Sequence, residues 1–405
     1  MPEKKSIWSV GGGKGGVGKS IATANIGCAL AQRGKKVVLV DADLGGANLH
    51  TYFGIKHPSK GLDDFLKGRA STLEETAIET EVRGLRLITG GGEFLGIANP
   101  AFAQKQRLLS HIKQLEADFI LVDLGAGSTY NILDFFAVSN EGIVVLVPEP
   151  AAIQNAYIFL KSFVYRRLQR LFAENEEIAR MVRDATDARS GGAVKTFSDL
   201  CEKIASTDRV AAKGAIAEIK SFRPRVLLNM AATKEDLKVV DAFRSAATAF
   251  LGLDTDYIGV LYSRPSVKAA ARRMRPFMCD KSADDAHRDM DWIIESLLKA
   301  SQGEGAVEPL EDAEEAAREQ EVFGFNDNVS HGGAVYHVQT EVQGGGSPSI
   351  ETIIYCGGRI FFSKKSLWND ISRANGGGGE IKDFATRQHR AAMAAIKMDK
   401  ITLKG

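Results

Sequence analysis

The chain has 405 residues, of which 44% are hydrophobic and 25% charged, so it is long enough for about two or three domains with buried cores. Fifty-two Lys and Arg residues nearly balance 51 Asp and Glu residues, which argues against a protein that holds DNA by massed positive charge. The sequence contains no run of about 18 apolar residues and no secretory signal core, and its four cysteines are too far apart for a disulfide framework or a four-cysteine zinc site. We therefore expect a cytoplasmic protein.

The first 150 residues alternate short, β-branched apolar runs with helical patterns, which predicts a parallel sheet with crossover helices. Near-continuous hydrophobicity is typical of strands that are covered on both faces. A helix is predicted over 20–33, and Gly34 is a suitable residue to end it. The predicted strands are 6–10, 36–41, 85–89, 119–123, 142–147, 225–229 and 257–260.

Three later segments have a different character. Residues 162–222 lack strand patterning and are rich in Arg, Glu, Ala and Leu, which predicts a helical insertion within a domain that spans 1–300. An acidic linker is predicted at 301–321, because eight acids and one Arg stand between Gly303 and Val322. The remainder, 322–405, predicts a small α+β domain of unknown role. Its predicted elements are an alternating strand at 334–342, a hairpin at 349–364 that turns at Gly357-Gly358, and a helix at 381–398.

The most specific motif is a glycine-rich loop that fits G-x-x-x-x-G-K-[ST] between Gly13 and Ser20. It stands between a predicted strand and a predicted helix, so its N–H groups and the positive end of the helix can bind phosphate oxygens. In such a loop Lys19 would contact the β- and γ-phosphates, and Ser20 would give an oxygen to Mg²⁺. The alternative is a glycine-rich turn followed by a chance Lys-Ser pair.

Three acids close two of the predicted strands. Asp41 and Asp43 end the second strand, and Asp123 ends the fourth. Ligands of open α/β sheets bind beyond the carboxyl ends of the strands. A single Asp at such a point is more often a helix cap or a surface group. Three of them at the edge that carries a phosphate loop favour a functional site over caps.

The phosphate loop carries a second lysine, Lys14, and in this it resembles the deviant loop of the MinD/ParA family of ATPases. The Pro148-Glu149-Pro150 segment with the downstream Tyr157 and Lys161 is more similar to the MinD/FlhG branch than to the ParA branch. The resemblance covers about residues 6–300 outside the insertion. It implies an α/β fold of the P-loop NTPase type (SIMIBI class) with a parallel sheet. A solvated lysine beside the site is the alternative for Lys14.

The resemblance also implies roles for individual residues. Lys14 would cross a dimer interface to the partner's phosphates, Asp43 would position the attacking water, and Asn229 would hydrogen-bond adenine. Gly125 and Asn48 would lie near the γ-phosphate. The implied catalytic residues are Lys14, Lys19 and Asp43, and the implied metal-site residues are Ser20, Asp41 and Asp123. The implied nucleotide-binding residues are Gly13, Lys14, Gly15, Gly16, Val17, Gly18, Lys19, Ser20, Ile21, Asn48, Gly125 and Asn229.

The function implied is a slow, partner-stimulated, Mg²⁺- and ATP-dependent ATPase that forms homodimers and positions a flagellum, a division site or a polar assembly. A nucleotide-gated scaffold with negligible hydrolysis and a ParA-like DNA or cargo partitioning ATPase are the alternatives. An unknown protein partner would bind the insertion or the C-terminal domain. The chain lacks the Asp-Gln-Ala-type segment of FlhG, the CxxC motif of iron–sulfur carriers and the tyrosine cluster of bacterial tyrosine kinases.

Two basic segments offer further partners. Arg272, Arg273 and Arg275 cluster without aromatic neighbours, which favours a solvated face, so nucleic acid is not expected as a partner. The 381–398 helix is basic and amphipathic, and such a helix can lie on the inner face of the plasma membrane. Its many alanines weaken its apolar face. Packing on the hairpin domain is therefore the favoured interpretation, and peripheral membrane contact is the alternative.

Overall fold

The computed structural model describes residues 5–90, 102–186, 194–280, 283–301, 324–332, 334–343, 349–356, 359–367 and 381–398. The chain divides into two compact units, Met1–Glu308 and Pro309–Gly405. Each unit has its own hydrophobic cores. Apart from Ser301, the predicted acidic linker lies outside the described residues, as do the glycine pairs at 191–192 and 357–358.

In the described part of the first unit, eight strands form one sheet with the order β3-β4-β2-β5-β1-β6-β7-β8. All neighbouring strands are parallel except β3, which pairs antiparallel with β4 at one edge. The strands are β1 (Ser6–Gly11), β2 (Val37–Asp41), β3 (Ile78–Glu79), β4 (Leu85–Ile88), β5 (Phe119–Asp123), β6 (Ile143–Leu146), β7 (Arg225–Ala231) and β8 (Asp256–Tyr262).

The predicted parallel sheet is confirmed, and all seven predicted strands are present. Strands β2 and β5 are buried at every residue, as their unbroken apolar runs predict for strands covered on both faces. Strand β3 was not predicted. It has only two residues, which is too short to produce an alternating pattern.

Helices cover both faces of this sheet and make two separate cores. One core joins α3 to α9 to one face of the sheet. The other joins α1, α10 and α11 to the opposite face. The helices are α1 (Lys19–Gln32), α2 (Leu62–Leu66), α3 (Phe102–Gln114), α4 (Tyr130–Phe136), α5 (Pro150–Leu171), α6 (Glu176–Thr186), α7 (Phe197–Thr207), α8 (Arg209–Lys220), α9 (Lys238–Leu251), α10 (Pro265–Arg272) and α11 (Asp284–Ser301).

The described residues of the predicted insertion, 162–186 and 194–222, are largely helical. They contain the second half of α5, followed by α6, α7 and α8. Phe163 and Leu168 of α5 are fully buried, and Ile178 and Ile204 of the later helices join the same core. The inserted helices thus extend one core of the sheet. Thr196 caps α7 through the backbone N–H of Asp199.

The second unit contains an antiparallel sheet of four described strands in the order β12-β11-β10-β9. The predicted strand and hairpin correspond to β10, β11 and β12. Strand β9 was not predicted, because its Asn326-Asp327-Asn328 run has no apolar alternation. The elements are β9 (Gly324–His331), β10 (Ala334–Gln343), β11 (Ser349–Cys356), β12 (Arg359–Leu367) and α12 (Ile381–Lys397).

Helix α12 lies on one face of this sheet. Ile396 is buried in one core with Val338 and Ile354 of the sheet, and Ala385 is buried in a second core with Val342 and Ile350. The favoured prediction, packing on the hairpin domain, is therefore confirmed, and the apolar face of α12 is covered. Among the described helices, none has both the length and the apolar content needed to cross a bilayer.

A polar network lies beneath α12. The ring of His389 is 2% exposed; its Nδ1 lies 2.9 Å from Thr340 Oγ1 and its Nε2 3.0 Å from Asp327 Oδ2. Thr340 Oγ1 lies 2.7 Å from Thr352 Oγ1, which also accepts a hydrogen bond from Gln388 Nε2 at 3.0 Å. These side chains satisfy one another, which fixes the register of the helix on the sheet.

Candidate functional site

Most of the predicted site residues line a cavity of about 410 Å³ in the first unit, although Gly13, Lys14, Val17 and Gly125 are not part of its lining. It lies at the carboxyl edge of the parallel strands, where the loops after β1, β2, β5, β7 and β8 meet. Its lining is Gly15, Gly16, Gly18, Lys19, Ser20, Ile21, Asp41, Asp43, Gly46, Asn48, Tyr52, Asp123, Leu124, Ala126, Asn229, Met230, Tyr262, Ser263, Arg264, Val267, Lys268 and Ala271.

The glycine-rich loop needs its glycines for two reasons. Gly13 and Gly18 have positive φ angles of 70° and 88°, which side chains with a Cβ rarely adopt. A Cβ on Gly13 would also lie 2.4 Å from the Asn155 carbonyl oxygen, and one on Gly18 would lie 2.1 Å from Asn229 Nδ2. The tight loop delivers the chain to Lys19, the first residue of α1, so the positive end of that helix faces the cavity.

Lys19 is buried in this cavity, with 7% of its surface exposed. Its Nζ donates to the carbonyl oxygen of Lys14 at 3.2 Å. Burial lowers the pKa of Lys19, and the nearby Asp123 and Asp43 carboxylates offset part of that effect. The ammonium group therefore stands at the cavity wall with little water around it, where an anion would stabilise its charged form.

Two carboxyl groups beside Lys19 are buried almost completely. Burial raises the pKa of Asp41 to about 8, and the negative charge of Asp123 adds to the rise. Burial likewise raises the pKa of Asp123 to about 6, although hydrogen bonds from Ser20 and Thr23 oppose it. The site thus concentrates carboxyl groups that resist ionisation until a cation neutralises them.

Thr23 belongs to this group, although its role was not predicted. Its hydroxyl lies 3.0 Å from both Asp123 Oδ1 and the Lys19 carbonyl oxygen. The motif pattern ends at Ser20, so it gives no signal for Thr23. The spacing could have found it, because residues 20 and 23 lie on the same side of a helix.

The loop that follows β2 is shaped by Asp41. One oxygen of its carboxyl group accepts the N–H of Asp43 at 3.2 Å, and the other accepts the N–H of Leu49 at 3.0 Å. These bonds place Asp43 next to Gly125, where a Cβ would lie 2.9 Å from Asp43 Oδ1. Asn48 lines the same cavity and donates to the Gly46 carbonyl oxygen at 2.6 Å. The segments after β2 and β5 are therefore brought together, as the sequence predicted.

Lys14 is directed elsewhere. Its Nζ lies 2.8 Å from Glu149 Oε2, with 38% of the Lys14 side chain and 62% of the Glu149 side chain exposed. Lys14 does not line the cavity of its own chain, unlike Lys19. The two lysines of the loop thus face different surroundings, one buried and one exposed. Glu149 was noted in the sequence only as part of a branch pattern, and its contact with Lys14 was not foreseen.

Asn229 lies at the opposite end of the cavity from the acids of β2. Its side chain is buried, and Nδ2 donates to the Val17 carbonyl oxygen at 2.8 Å. This bond ties the end of β7 to the phosphate loop. Met230 follows with a φ of 58° and remains 45% exposed. In the structure the amide donor of Asn229 therefore belongs to the loop, and its predicted contact with adenine stays a prediction.

The wall beside Asn229 comes from the end of β8 and the start of α10. Val267, in the first turn of α10, lies there. Tyr262 and Lys268 also line the cavity and were not predicted as site residues. The hydroxyl of Tyr262 is buried without a hydrogen-bond partner among the described residues. Its position at the carboxyl end of a strand was the available signal.

The basic cluster after α10 is largely paired within the unit. Arg273 forms an ion pair with Asp280, and Arg275 Nη2 lies 3.4 Å from Glu81 Oε2. Arg264, nearby, is 5% exposed and makes two hydrogen bonds to Asp289. These contacts agree with the solvated-face interpretation of the sequence.

Comparison with protein families and curated sequences places these features in context. A family model described as the CobQ/CobB/MinD/ParA nucleotide binding domain matches residues 8–278. The flagellum site-determining protein YlxH of Helicobacter pylori is 40% identical over 151 residues, which is 37% of this chain and 50% of YlxH. The antiactivator FleN of Pseudomonas aeruginosa is 30% identical over 157 residues, 38% of this chain and 55% of FleN. The septum site-determining protein MinD of Thermotoga maritima is 33% identical over 147 residues, 36% of this chain and 53% of MinD.

The chain thus spans about half the length of the curated relatives it matches. Among solved structures, the cell division ATPase MinD of Pyrococcus furiosus superposes with a TM-score of 0.51 at 20% identity, over 73% of this chain and 100% of that one. MinD of Pyrococcus horikoshii, complexed with Mg-ADP, also gives 0.51 at 20% identity, over 74% and 98%. These likenesses concern the fold. Because the family model covers more than half of the chain, the protein belongs to the CobQ/CobB/MinD/ParA family of nucleotide-binding domains.

Proposed function

We propose that this chain is an ATP-dependent switch of the MinD/FlhG type, which binds Mg-ATP in the cavity of the first unit, pairs with a second copy and is reset by slow hydrolysis. The observation that carries the proposal is the different placement of the two loop lysines. Lys19 lies inside the cavity, whereas Lys14 lies outside it, on the exposed Glu149. A lysine that its own site leaves unused is available to the site of a partner copy.

The cavity supplies what a bound triphosphate requires. The glycines at 13–18 bend the backbone tightly, the N-terminus of α1 points into the cavity, and the ammonium of Lys19 stands beside the loop. Burial lowers the pKa of Lys19, and a phosphate bound beside it would raise that pKa again, because an anion stabilises an ammonium group that has lost its water. Ile21 and Asn229 would bound the base and ribose side of the cavity, with Asn48 and Gly125 toward the γ-phosphate.

The acids beside Ser20 fit a magnesium ion. Asp123 has a raised pKa because it is buried, and it sits within reach of the hydroxyls of Ser20 and Thr23. Within the described residues, no cluster of three or more acid, His or Cys side chains could hold a metal unaided. This suits Mg²⁺, which keeps several waters and takes further oxygens from phosphates. Ser20 would be a direct ligand, Asp123 and Asp41 would act through water, and the metal would neutralise phosphate charge.

For the hydrolytic step we assign Asp43. It is half-buried at the cavity wall and lies against Gly125, in the loop that Asp41 holds in place. Phosphoryl transfer depends mainly on positioning and on neutralising charge. Asp43 would orient a water toward the γ-phosphate, and Lys14 of the second copy would add positive charge at the same point. Hydrolysis without that second lysine would be slow.

The printed names of the relatives support a role in placing a cellular structure, since two of them are site-determining proteins for a flagellum and a septum. The partner surface would lie on the inserted helices or on the second unit. Val210 on α8 is 79% exposed, which leaves an apolar contact available there. We place the protein in the cytoplasm. The covered apolar face of α12 gives no support to membrane contact.

The test is the mass of the purified full chain in solution with ATP or ADP. We expect a dimer of the wild type with ATP and a monomer with ADP. Asp43→Ala should accumulate the ATP-bound dimer and lose turnover, and Lys14→Ala should bind ATP but remain monomeric. If Asp43→Ala shows no ATP-stabilised dimer, the cycle is wrong. Tight binding with no turnover in the presence of partners would instead support the nucleotide-gated scaffold.

A further inference from the structure

Two thiols lie in contact outside the nucleotide cavity. Cys28, on α1, and Cys279, at the end of the 3₁₀ turn Phe277–Cys279, have their Sγ atoms 3.9 Å apart. Cys28 is fully buried, whereas Cys279 is partly exposed. The two residues are separated by 251 positions in the sequence, so the fold alone brings them together. Neither thiol has a role in the proposed nucleotide site.

Hydrogen bonds on both sides hold the two thiols in place. Asn25 Oδ1 accepts the N–H of Met278 at 3.0 Å, and Gln32 Nε2 donates to the Met278 carbonyl oxygen at 2.9 Å. Residues 25, 28 and 32 of α1 are three and four positions apart, so they lie on one face of the helix. The 3₁₀ turn is therefore fastened to α1 directly before Cys279, opposite Cys28.

Cys279 is also accessible from solvent. It lines a second cavity, of about 570 Å³, together with Arg273, Arg275 and Glu81. The hydrogen bond between the two thiols and the positive charge of Arg275 lower the pKa of Cys279. Burial raises the pKa of Cys28 well above its usual value. Cys279 is thus the thiol that forms a thiolate in reach of an oxidant, and Cys28 is the protonated thiol behind it.

We propose that Cys28 and Cys279 form a reversible disulfide when the protein meets a hydroperoxide. The Cys279 thiolate attacks the terminal oxygen of the hydroperoxide, the S–O bond forms as the O–O bond breaks, and the other oxygen leaves as hydroxide from hydrogen peroxide or as alkoxide from an alkyl hydroperoxide, which gives a sulfenic acid. The Cys28 sulfur then attacks that sulfur, the S–S bond forms, the S–O bond breaks, and the proton of Cys28 leaves with the oxygen as water. A dithiol reductant such as dithiothreitol restores both cysteines by thiol–disulfide exchange and is itself oxidised to a disulfide. The two Sγ atoms must approach by about 1.9 Å to reach the S–S bond length of about 2.0 Å.

The bridge would join two segments that border the nucleotide cavity. Helix α1 begins at Lys19, in the phosphate loop, and Cys279 follows α10, whose Val267, Lys268 and Ala271 line the base side. Oxidation would therefore fix the spacing between these two walls. This inference stands on the thiol geometry alone, so it holds or fails independently of the proposed ATPase cycle.

The experiment treats the full chain with graded hydrogen peroxide, blocks remaining thiols under denaturing conditions, and maps the peptides by mass. We expect a cross-linked pair of peptides that contain Cys28 and Cys279, two of the four thiols lost, and both recovered with dithiothreitol. The Cys201→Ser and Cys356→Ser double variant should form the same bridge at the same peroxide concentration, because its thiol pair is intact.

Single variants test the order of the steps. In Cys28→Ala, Cys279 should accumulate sulfenic and sulfinic acid without a bridge; in Cys279→Ser, Cys28 should stay reduced because it is buried. Should Cys28→Ala fail to fold, the wild-type peptide map and Cys279→Ser decide the question. Four unreacted thiols, a bridge to Cys201 or Cys356, or wild-type Cys279 oxidised to sulfinic acid without a bridge would each overturn the proposal.

Discussion

The cavity of the first unit and the network beneath α12 in the second unit bury polar side chains in opposite ways. In the first unit, Asp41, Asp123 and Lys19 are packed around a cavity, and burial displaces the pKa of each from its usual value. In the second unit, His389 and Thr340 are equally buried, yet they take part in a continuous chain of hydrogen bonds beneath α12. One cluster consists of ionisable groups whose charged forms are disfavoured by burial, and the other consists mainly of neutral groups that hydrogen-bond one another.

The difference shows how to tell a binding site from a structural network. When burial suppresses the ionisation of a group, a ligand of opposite charge stabilises the charged form of that group, so such groups mark a binding site. Buried groups that already satisfy one another gain nothing from a ligand, and they specify how a helix lies on a sheet. On this criterion the cavity of the first unit has the properties of a binding site, and the network of the second unit has those of a structural element.

Substitution of Lys19 should have the largest effect. In Lys19→Ala the phosphates lose a charge-assisted contact, so we expect ATP affinity to fall on the order of 100-fold, as measured by calorimetry with Mg²⁺. Lys14→Ala is the matched control, because Lys14 lies outside the cavity and binding of ATP by one chain should be unchanged. If Lys19→Ala bound ATP as tightly as the wild type, the claim that the cavity of the first unit binds ATP phosphates through Lys19 would be wrong.

Substitution of His389 tests whether the network beneath α12 stabilises the second unit. In His389→Ala, Thr340 and Asp327 lose their partner, and the free energy of unfolding of the second unit should fall by about 1–3 kcal/mol in a urea titration. Arg390→Ala, the exposed neighbour on α12, should change it by less than about 0.5 kcal/mol. ATP affinity should stay at the wild-type value in both variants; a change in His389→Ala would mean that the network also serves the site.

The displaced pKa of Asp41 predicts a pH dependence of stability without nucleotide. Burial raises this pKa from 3.8 to about 8, so the folded state keeps a proton that the unfolded state has lost. The free energy of unfolding should therefore decline as pH rises from about 4 to about 8, and level off above. In Asp41→Asn this contribution is absent, so the decline should be shallower in urea titrations across that range. Parallel curves for variant and wild type would contradict the assignment.

Glu149→Gln should give the smallest effect. An exposed ion pair contributes at most about 1 kcal/mol. Releasing Lys14 from Glu149 should therefore strengthen ATP-dependent pairing by at most about five-fold. ATP affinity of the single chain should not change. The strength of pairing is measured from how the mass in solution with ATP depends on protein concentration, with Glu177→Gln at an exposed position as the control. Weaker pairing would show that Glu149 itself contributes to the interface.

The sequence predicted the parallel sheet and the convergence of the site residues because both follow from local patterns. Apolar runs identify the strands, and parallel strands bring their carboxyl ends, and hence Asp41 and Asp123, to one edge. The polar strand β9 and the short strand β3 give no such pattern, since pairing with a neighbour rather than burial of a face defines them.

Contacts between residues far apart in sequence could not be predicted. The pairing of Lys14 with Glu149 spans 135 positions, and that of Cys28 with Cys279 spans 251. Asn229 shows the same limit: the end of its strand was predicted, but its bond to Val17, 212 positions away, depends on how β7 meets the phosphate loop. Residue spacing along the chain does not report such pairs.

Helix α5 has a mechanical consequence. With 22 residues it is about 33 Å long, and its two ends engage different parts of the first unit. Near its start the Asn155 carbonyl oxygen abuts Gly13, and near its end Arg167 hydrogen-bonds Glu218 on α8. Because a helix is stiff, a movement at one end of α5 also moves its other end. A rearrangement of the glycine loop that displaces Asn155 would therefore also displace Arg167 and, through Glu218, the inserted helix α8.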